Sequence, residues 1–149
     1  MIAYYDTGVL LKLYTTEPES ERVQKFVQKR GEKLRVTDLH VAECYSALRL
    51  KVFRQECGTE QASAAVSLIK EDLKNGILLP VELNWSEAWD QCRSMADRFA
   101  SVTGARTLDT LHVAAARVLE ADQFVTSDQR QILLARQVGL AVLDPTAAA

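Results

Sequence analysis

The chain has no Cys-x-x-Cys pair, no proline- or glycine-rich stretch, no long apolar run and no large excess of either charge, and each absence removes a class of protein. Three cysteines, Cys44, Cys57 and Cys92, are odd in number and widely spaced. That spacing speaks against a disulfide framework or a thiolate zinc site, and it fits a reducing cytoplasm. With only 6 Gly and 3 Pro in 149 residues, disordered, collagen-like and low-complexity classes are excluded, and no window has the composition of a linker. Residues 1–6 carry no basic group and reach Asp6 before a signal-peptide core can form, so secretion and membrane insertion are not expected. The 18 Lys and Arg against 20 Asp and Glu leave a formal net charge of -2. Bulk charge therefore offers nothing to a polyanion, and any nucleic-acid partner must be held by local features.

What is present is enough apolar material, 48% of residues, for one sizeable core. A single domain over 1–149 is expected, with 145–149 as a frayed tail. Short β-prone runs at 2–5, 34–37, 77–83, 123–126 and 140–143 alternate with longer stretches of helical period. The pattern is that of a parallel sheet covered by helices, and it predicts a three-layer α/β/α fold with a central, mainly parallel sheet of four to five strands. Thr37 or Asp38 is placed to cap a long helix reaching about residue 56, Asn75-Gly76 stops a helix over 59–74, and Gly104 breaks one that runs through Trp89 and Cys92.

Right-handed crossovers put all strand C-termini of such a sheet along one edge, where open α/β sheets hold their sites. Asp6 ends the first strand and Asp128 follows the fourth directly. Asp109 lies in the first turn of a helix, and Glu43 shares a helical face with Leu39, Ala42, Ala47 and Leu50. Each acid has an ordinary structural use: Asp6 and Asp128 as N-caps, Asp109 as a first-turn acid favoured by the helix dipole, Glu43 as an ion-pair partner of Arg49. Four together at one sheet edge call for cations, because converging carboxylates repel one another. Oxygen ligands without His or Cys select Mg2+ or Mn2+ over zinc, and such ions polarise phosphoryl oxygens and activate water. The chemistry implied is phosphodiester hydrolysis.

Four segments carry a resemblance: residues 5–14 (YDTGVLLKLY), 41–48 (VAECYSAL), 108–114 (LDTLHVA) and 124–128 (FVTSD). In this order they resemble the acidic signature segments of the PIN domain family, and more narrowly the VapC-like ribonuclease toxins of toxin/antitoxin pairs. The resemblance implies an Mg2+- or Mn2+-dependent endoribonuclease that dimerises and is inhibited by a VapB-like antitoxin. Its principal metal ligands would be Asp6 and Asp109, with Glu43 and Asp128 completing the acidic pocket. It also implies hydroxyls beside the first and last acids, where Thr7 and Ser127 stand; Gly8 departs from a common serine.

For holding RNA, Arg106 is the foremost candidate, three residues before Asp109, and residues 21–35 form a basic segment whose ordinary reading is a solvated helix face. His112 is too isolated in sequence to be assigned as a general base. Asp6-Thr7-Gly8 is also the tripeptide of aspartic proteases, but that fold is almost wholly β. Phosphatases with an aspartyl nucleophile need a second Asp where Gly8 stands. The non-enzymatic alternative is a catalytically silent PIN-like module that binds RNA or protein.

Overall fold

The computed structural model describes residues 1–147, which form two compact units. One unit joins Met1–Val9 to the chain from Glu82 onward, and the other is Leu10–Val81. All five expected strands form, and every pairing between them is parallel. They pair as a three-stranded group and a two-stranded group.

In the first unit, β1 (Ala3–Tyr5), β4 (Gln123–Val125) and β5 (Ala141–Leu143) form a sheet with β4 in the middle. The register sets Tyr4 beside Phe124 and Tyr5 beside Val125. Tyr4 and Phe124 stack with ring centroids 5.5 Å apart, and all four side chains are buried, as parallel strands covered by helices require. Three helices belong to this unit: α5 (Trp85–Thr103), α6 (Thr107–Val118) and α7 (Gln129–Gln137), each packed on the other two. Residues 110–116 of α6 are buried without a break, and Ala114, Ala115 and Ala116 let its neighbours approach closely. His112 sits in this buried run. Its Nδ1 lies 2.7 Å from the Tyr4 hydroxyl and its Nε2 3.2 Å from Thr7 Oγ1, so the ring braces α6 against β1 and the residues that follow it.

The second unit pairs β2 (Leu34–Val36) with β3 (Leu78–Pro80). β3 is shorter than the apolar run 77–83 suggests: Pro80 brings no N–H to the ladder, and pairing ends with the Val81 N–H on the Val36 carbonyl. Three helices are α2 (Ser20–Arg30), α3 (Asp38–Phe53) and α4 (Thr59–Lys74). α1 (Thr7–Lys12) carries the chain from the first unit into the second. Thr37, one of the two expected caps, is the N-cap of α3, and the His40 ring completes the box by accepting from the Thr37 N–H at 3.0 Å. The basic residues of α2 are largely paired with neighbouring acids: Lys25 with Glu21, Arg30 with Glu32 and Arg22 with Glu19. Those pairs favour the solvated-face reading of residues 21–35.

At the start of the expected tail the Thr146 N–H and hydroxyl both donate to Asp144 Oδ1. Ala148 and Ala149 lie outside the described residues. All three cysteines are free thiols, with Cys44 and Cys92 buried. Among the described residues no helix is long and apolar enough to cross a membrane.

Two outcomes follow. Tyr4→Phe removes one hydrogen bond of a ring inside the core and is expected to cost about 1–3 kcal/mol in urea unfolding; an unchanged midpoint would mean that the hydroxyl does not hold His112. In the second unit, burial opposes ionisation of Glu17, but the Thr15 hydroxyl and the Lys51 ammonium outweigh it and leave the carboxyl below its ordinary pKa. A pKa depressed by folding contributes stability above the unfolded value and loses it as pH falls through the folded one. Lys51→Ala is therefore expected to lower the free energy of urea unfolding at pH 7 by no more than about 1 kcal/mol, the pair being partly exposed. That difference should vanish on acidification below the carboxylate range.

Candidate functional site

The β1–β4 ladder runs one residue past the strands, with the Asp6 N–H donating to the Val125 carbonyl at 3.0 Å. Thr126, next after β4, is held in the same way by the Leu143 carbonyl. With Tyr5 opposite Val125, the parallel register brings the following residues, Asp6 and Thr126, side by side at the strand C-termini. Their side chains meet there: Thr126 Oγ1 lies 2.7 Å from Asp6 Oδ2. The other carboxylate oxygen, Oδ1, accepts from the Val9 N–H at 2.7 Å, so Asp6 also caps α1. Asp6 is 6% exposed and Thr126 not at all.

Asp128 joins the same network. Its N–H donates to Thr126 Oγ1 at 3.1 Å, and its Oδ1 caps α7 by accepting from the Gln131 N–H at 3.0 Å. The Gln131 side chain is buried and its amide lies 2.8 Å from the same Thr126 hydroxyl. Asp109 stands in the first turn of α6 and accepts from the Arg106 N–H at 3.0 Å. It shares a helix face with His112, one turn on, whose ring meets Thr7. Each of the three aspartates therefore fills the capping or first-turn role that its local sequence suggests. A carboxylate has about four lone-pair positions, so a capping bond leaves the group able to ligate.

The remaining candidates lie as follows. Ser127 is half-buried, and the hydroxyl set against Asp6 is that of its predecessor Thr126. The Arg106 side chain is exposed at the start of α6. Gly8 is exposed, and a Cβ there would meet the Asp6 carboxylate at an ordinary 3.6 Å, so no steric demand explains glycine in place of serine. Glu43 belongs to the second unit and is half-buried on α3. The buried residues of that helix are His40, Cys44 and Leu48, spaced four apart, whereas Leu50 is 42% exposed. The expected apolar stripe through Leu39, Ala42, Ala47 and Leu50 is thus not the buried one. His40 takes the core position because capping Thr37 satisfies its ring, which a hydropathy pattern does not register.

Among the described residues, no three His, Cys, Asp or Glu stand close enough together to hold a metal ion. That excludes a closed, all-protein cage of the structural zinc type. It does not conflict with Mg2+ or Mn2+: a magnesium-like ion keeps several waters and is held through one or two carboxylates together with substrate phosphates. The donor chemistry fits such an ion, a buried carboxylate oriented by two hydrogen bonds with two further aspartates at neighbouring helix starts. Sequence reasoning missed Thr126, Gln131 and Tyr4, and gave His112 no part in the site. The single available signal was Thr126 itself, a hydroxyl residue at the strand end two before Asp128.

Comparison with known proteins adds three findings. The chain is 28% identical over 149 residues to the ribonuclease VapC46 of Mycobacterium tuberculosis, covering 96% of this chain and 97% of that protein. Among solved structures it is similar to FitAB bound to the IR36 DNA fragment, at TM-score 0.69 and 19% identity over 99% of this chain and 98% of the other. It is similar also to VapBC2 of Rickettsia felis bound to promoter DNA, at TM-score 0.67 and 13% identity over 97% and 98% of the two chains. The fold is shared with both. The PIN domain family matches residues 3–137, nearly the whole described chain. With its acids placed at the ends of parallel strands and the starts of helices, this chain belongs to the PIN domain family.

Proposed function

We propose that the protein is a metal-dependent endoribonuclease of the VapC kind, the toxin of a toxin/antitoxin pair. The observation that carries this reading is the buried Asp6 carboxylate, fixed at the end of β1 by the Val9 N–H and the Thr126 hydroxyl, in a chain whose relative is a ribonuclease. Asp6 and Asp109 are the proposed principal ligands of Mg2+ or Mn2+, with Glu43 and Asp128 adding negative charge and Thr7 and Ser127 supporting the two ends. When bound, the ion polarises a phosphoryl oxygen and lowers the pKa of a bound water. The chain's own part is to hold its carboxylates ready before the ion arrives. Asp6 is oriented from both oxygens, Asp109 is steadied by the Arg106 N–H, and Asp128 by its cap on α7. These groups bind and orient, and none is placed as a nucleophile. The Arg106 side chain, exposed beside Asp109, is available to a substrate phosphate.

The family match spans both compact units, which supports one working domain over 1–149. The proposed partner and inhibitor is a VapB-like antitoxin; the similar solved chains come from FitAB and VapBC2, each bound to DNA. A homodimer and a cytoplasmic location belong to the same reading. The catalytically silent module is the other outcome of one assay: purified protein with structured RNA in Mg2+, in Mn2+ and in EDTA. Cleavage is expected with either metal and none under chelation. Asp6→Asn or Asp109→Asn should lower it by more than about 100-fold, beyond what loss of an outer-shell partner costs. Full cleavage by either variant would refute the ligand assignment, and RNA binding without cleavage by the unmodified chain would establish the module.

A further inference from the structure

The hydroxyl of Thr126 has more partners than it has protons. Its Oγ1 lies 2.7 Å from Asp6 Oδ2, 2.8 Å from Gln131 Oε1 and 3.1 Å from the Asp128 nitrogen. The Asp128 N–H can only donate to it. One hydroxyl proton cannot serve both remaining oxygens, and a 2.8 Å approach between two oxygens with no proton between them is repulsive. The two groups in conflict are buried, Thr126 fully covered and Gln131 3% exposed, so water does not relieve the conflict.

A half-turn of the Gln131 amide relieves it. The oxygen and nitrogen ends of an amide are nearly the same in shape, and the hydrogen-bond network decides between them. With Nε2 facing Thr126, the amide donates to Oγ1, the Asp128 N–H donates to it as well, and Oγ1 gives its own proton to Asp6. The opposite polarity would put a proton on Asp6 Oδ2, and a carboxyl protonated there is not the form that meets a cation. With Asp6 as the carboxylate, two donors to the hydroxyl and one acceptor from it satisfy every contact of the cluster. We infer that Gln131 is a positioning residue: its amide donates to Thr126, commits the hydroxyl proton to Asp6, and holds that carboxylate in the orientation in which it meets a divalent cation.

The inference rests on the reading of Asp6 as a metal ligand, and its test separates the two. The amide orientation is read on the metal-free wild-type protein by NMR. Nuclear Overhauser contacts from the Gln131 side-chain NH2 protons to the Thr126 side chain are expected; their absence, with the carbonyl end facing Thr126, overturns the inference. The consequence is read by titrating Mn2+ alone into wild type, Gln131→Met, Thr126→Val, Thr126→Ser and Asp6→Asn, each checked by its thermal midpoint. Gln131→Met and Thr126→Val are expected to weaken Mn2+ binding by about 10-fold, the cost typical of losing a group that orients a ligand. Thr126→Ser, which keeps the hydroxyl, is expected to bind close to wild type. If wild type binds Mn2+, Asp6→Asn does not, and Gln131→Met binds as wild type, the inference falls while the reading of Asp6 stands. If wild type and Asp6→Asn are indistinguishable, that reading falls and the inference with it.

Discussion

The bond from the Thr126 hydroxyl to the Asp6 carboxylate is the constraint on which the first unit's functional edge depends. An ionised carboxylate that is 6% exposed is costly unless donors surround it. Three parts of the fold supply or hold donors to it. The parallel register of β1 and β4 sets Thr126 beside Asp6, the first turn of α1 turns the Val9 N–H toward it, and Thr126 is itself engaged by Asp128 and Gln131 at the start of α7. A slip of one residue in the β1–β4 register would remove the hydroxyl and strand the charge. The placement of Asp6 is therefore tied to the pairing of the core strands, which buried Tyr4, Tyr5, Phe124 and Val125 already specify.

Capping and ligation are compatible uses of the same acids. Helix starts leave backbone N–H groups without partners, and in a parallel α/β fold these starts gather where strands end. Asp6, Asp109 and Asp128 each answer one such N–H. The bond fixes a rotamer and leaves the carboxylate with capacity for a second partner. Negative charge at these positions is favoured by the helix dipole before any cation is present, so the apo fold tolerates a set of acids that a cation would draw on. The His112 ring, held between Tyr4 and Thr7, ties the helix bearing Asp109 to the strand that ends at Asp6.

Most of this was legible in the order of the residues. The alternation of short apolar runs with helical stretches predicts the five strands, all of which pair in parallel, and Asp128 and Thr37, the latter one of two expected caps of α3, are N-caps. The three aspartates are legible from their place after strands or in first turns. What was not legible depends on three-dimensional accounting. Gln131 reads as one polar residue of a polar helix start, and only the register that buries it makes it part of the site. His40 and His112 count as polar in any pattern, yet each is buried because its ring nitrogens find partners. For the same reason the buried residues of α3 are His40, Cys44 and Leu48 and not the apolar stripe beside Glu43, on a helix whose apolar residues define no clear face. Pro80 shortened β3 by a rule that is local, but how far an apolar run pairs is decided by its neighbour.

Whether Asp6 presents its carboxylate to a divalent ion is read most directly by anomalous diffraction from crystals of the protein grown with Mn2+. A manganese peak is expected within direct coordination distance of the Asp6 carboxylate, with Thr126 still bonded to that group. Manganese bound elsewhere, or no peak at Asp6 at saturating Mn2+, would contradict it.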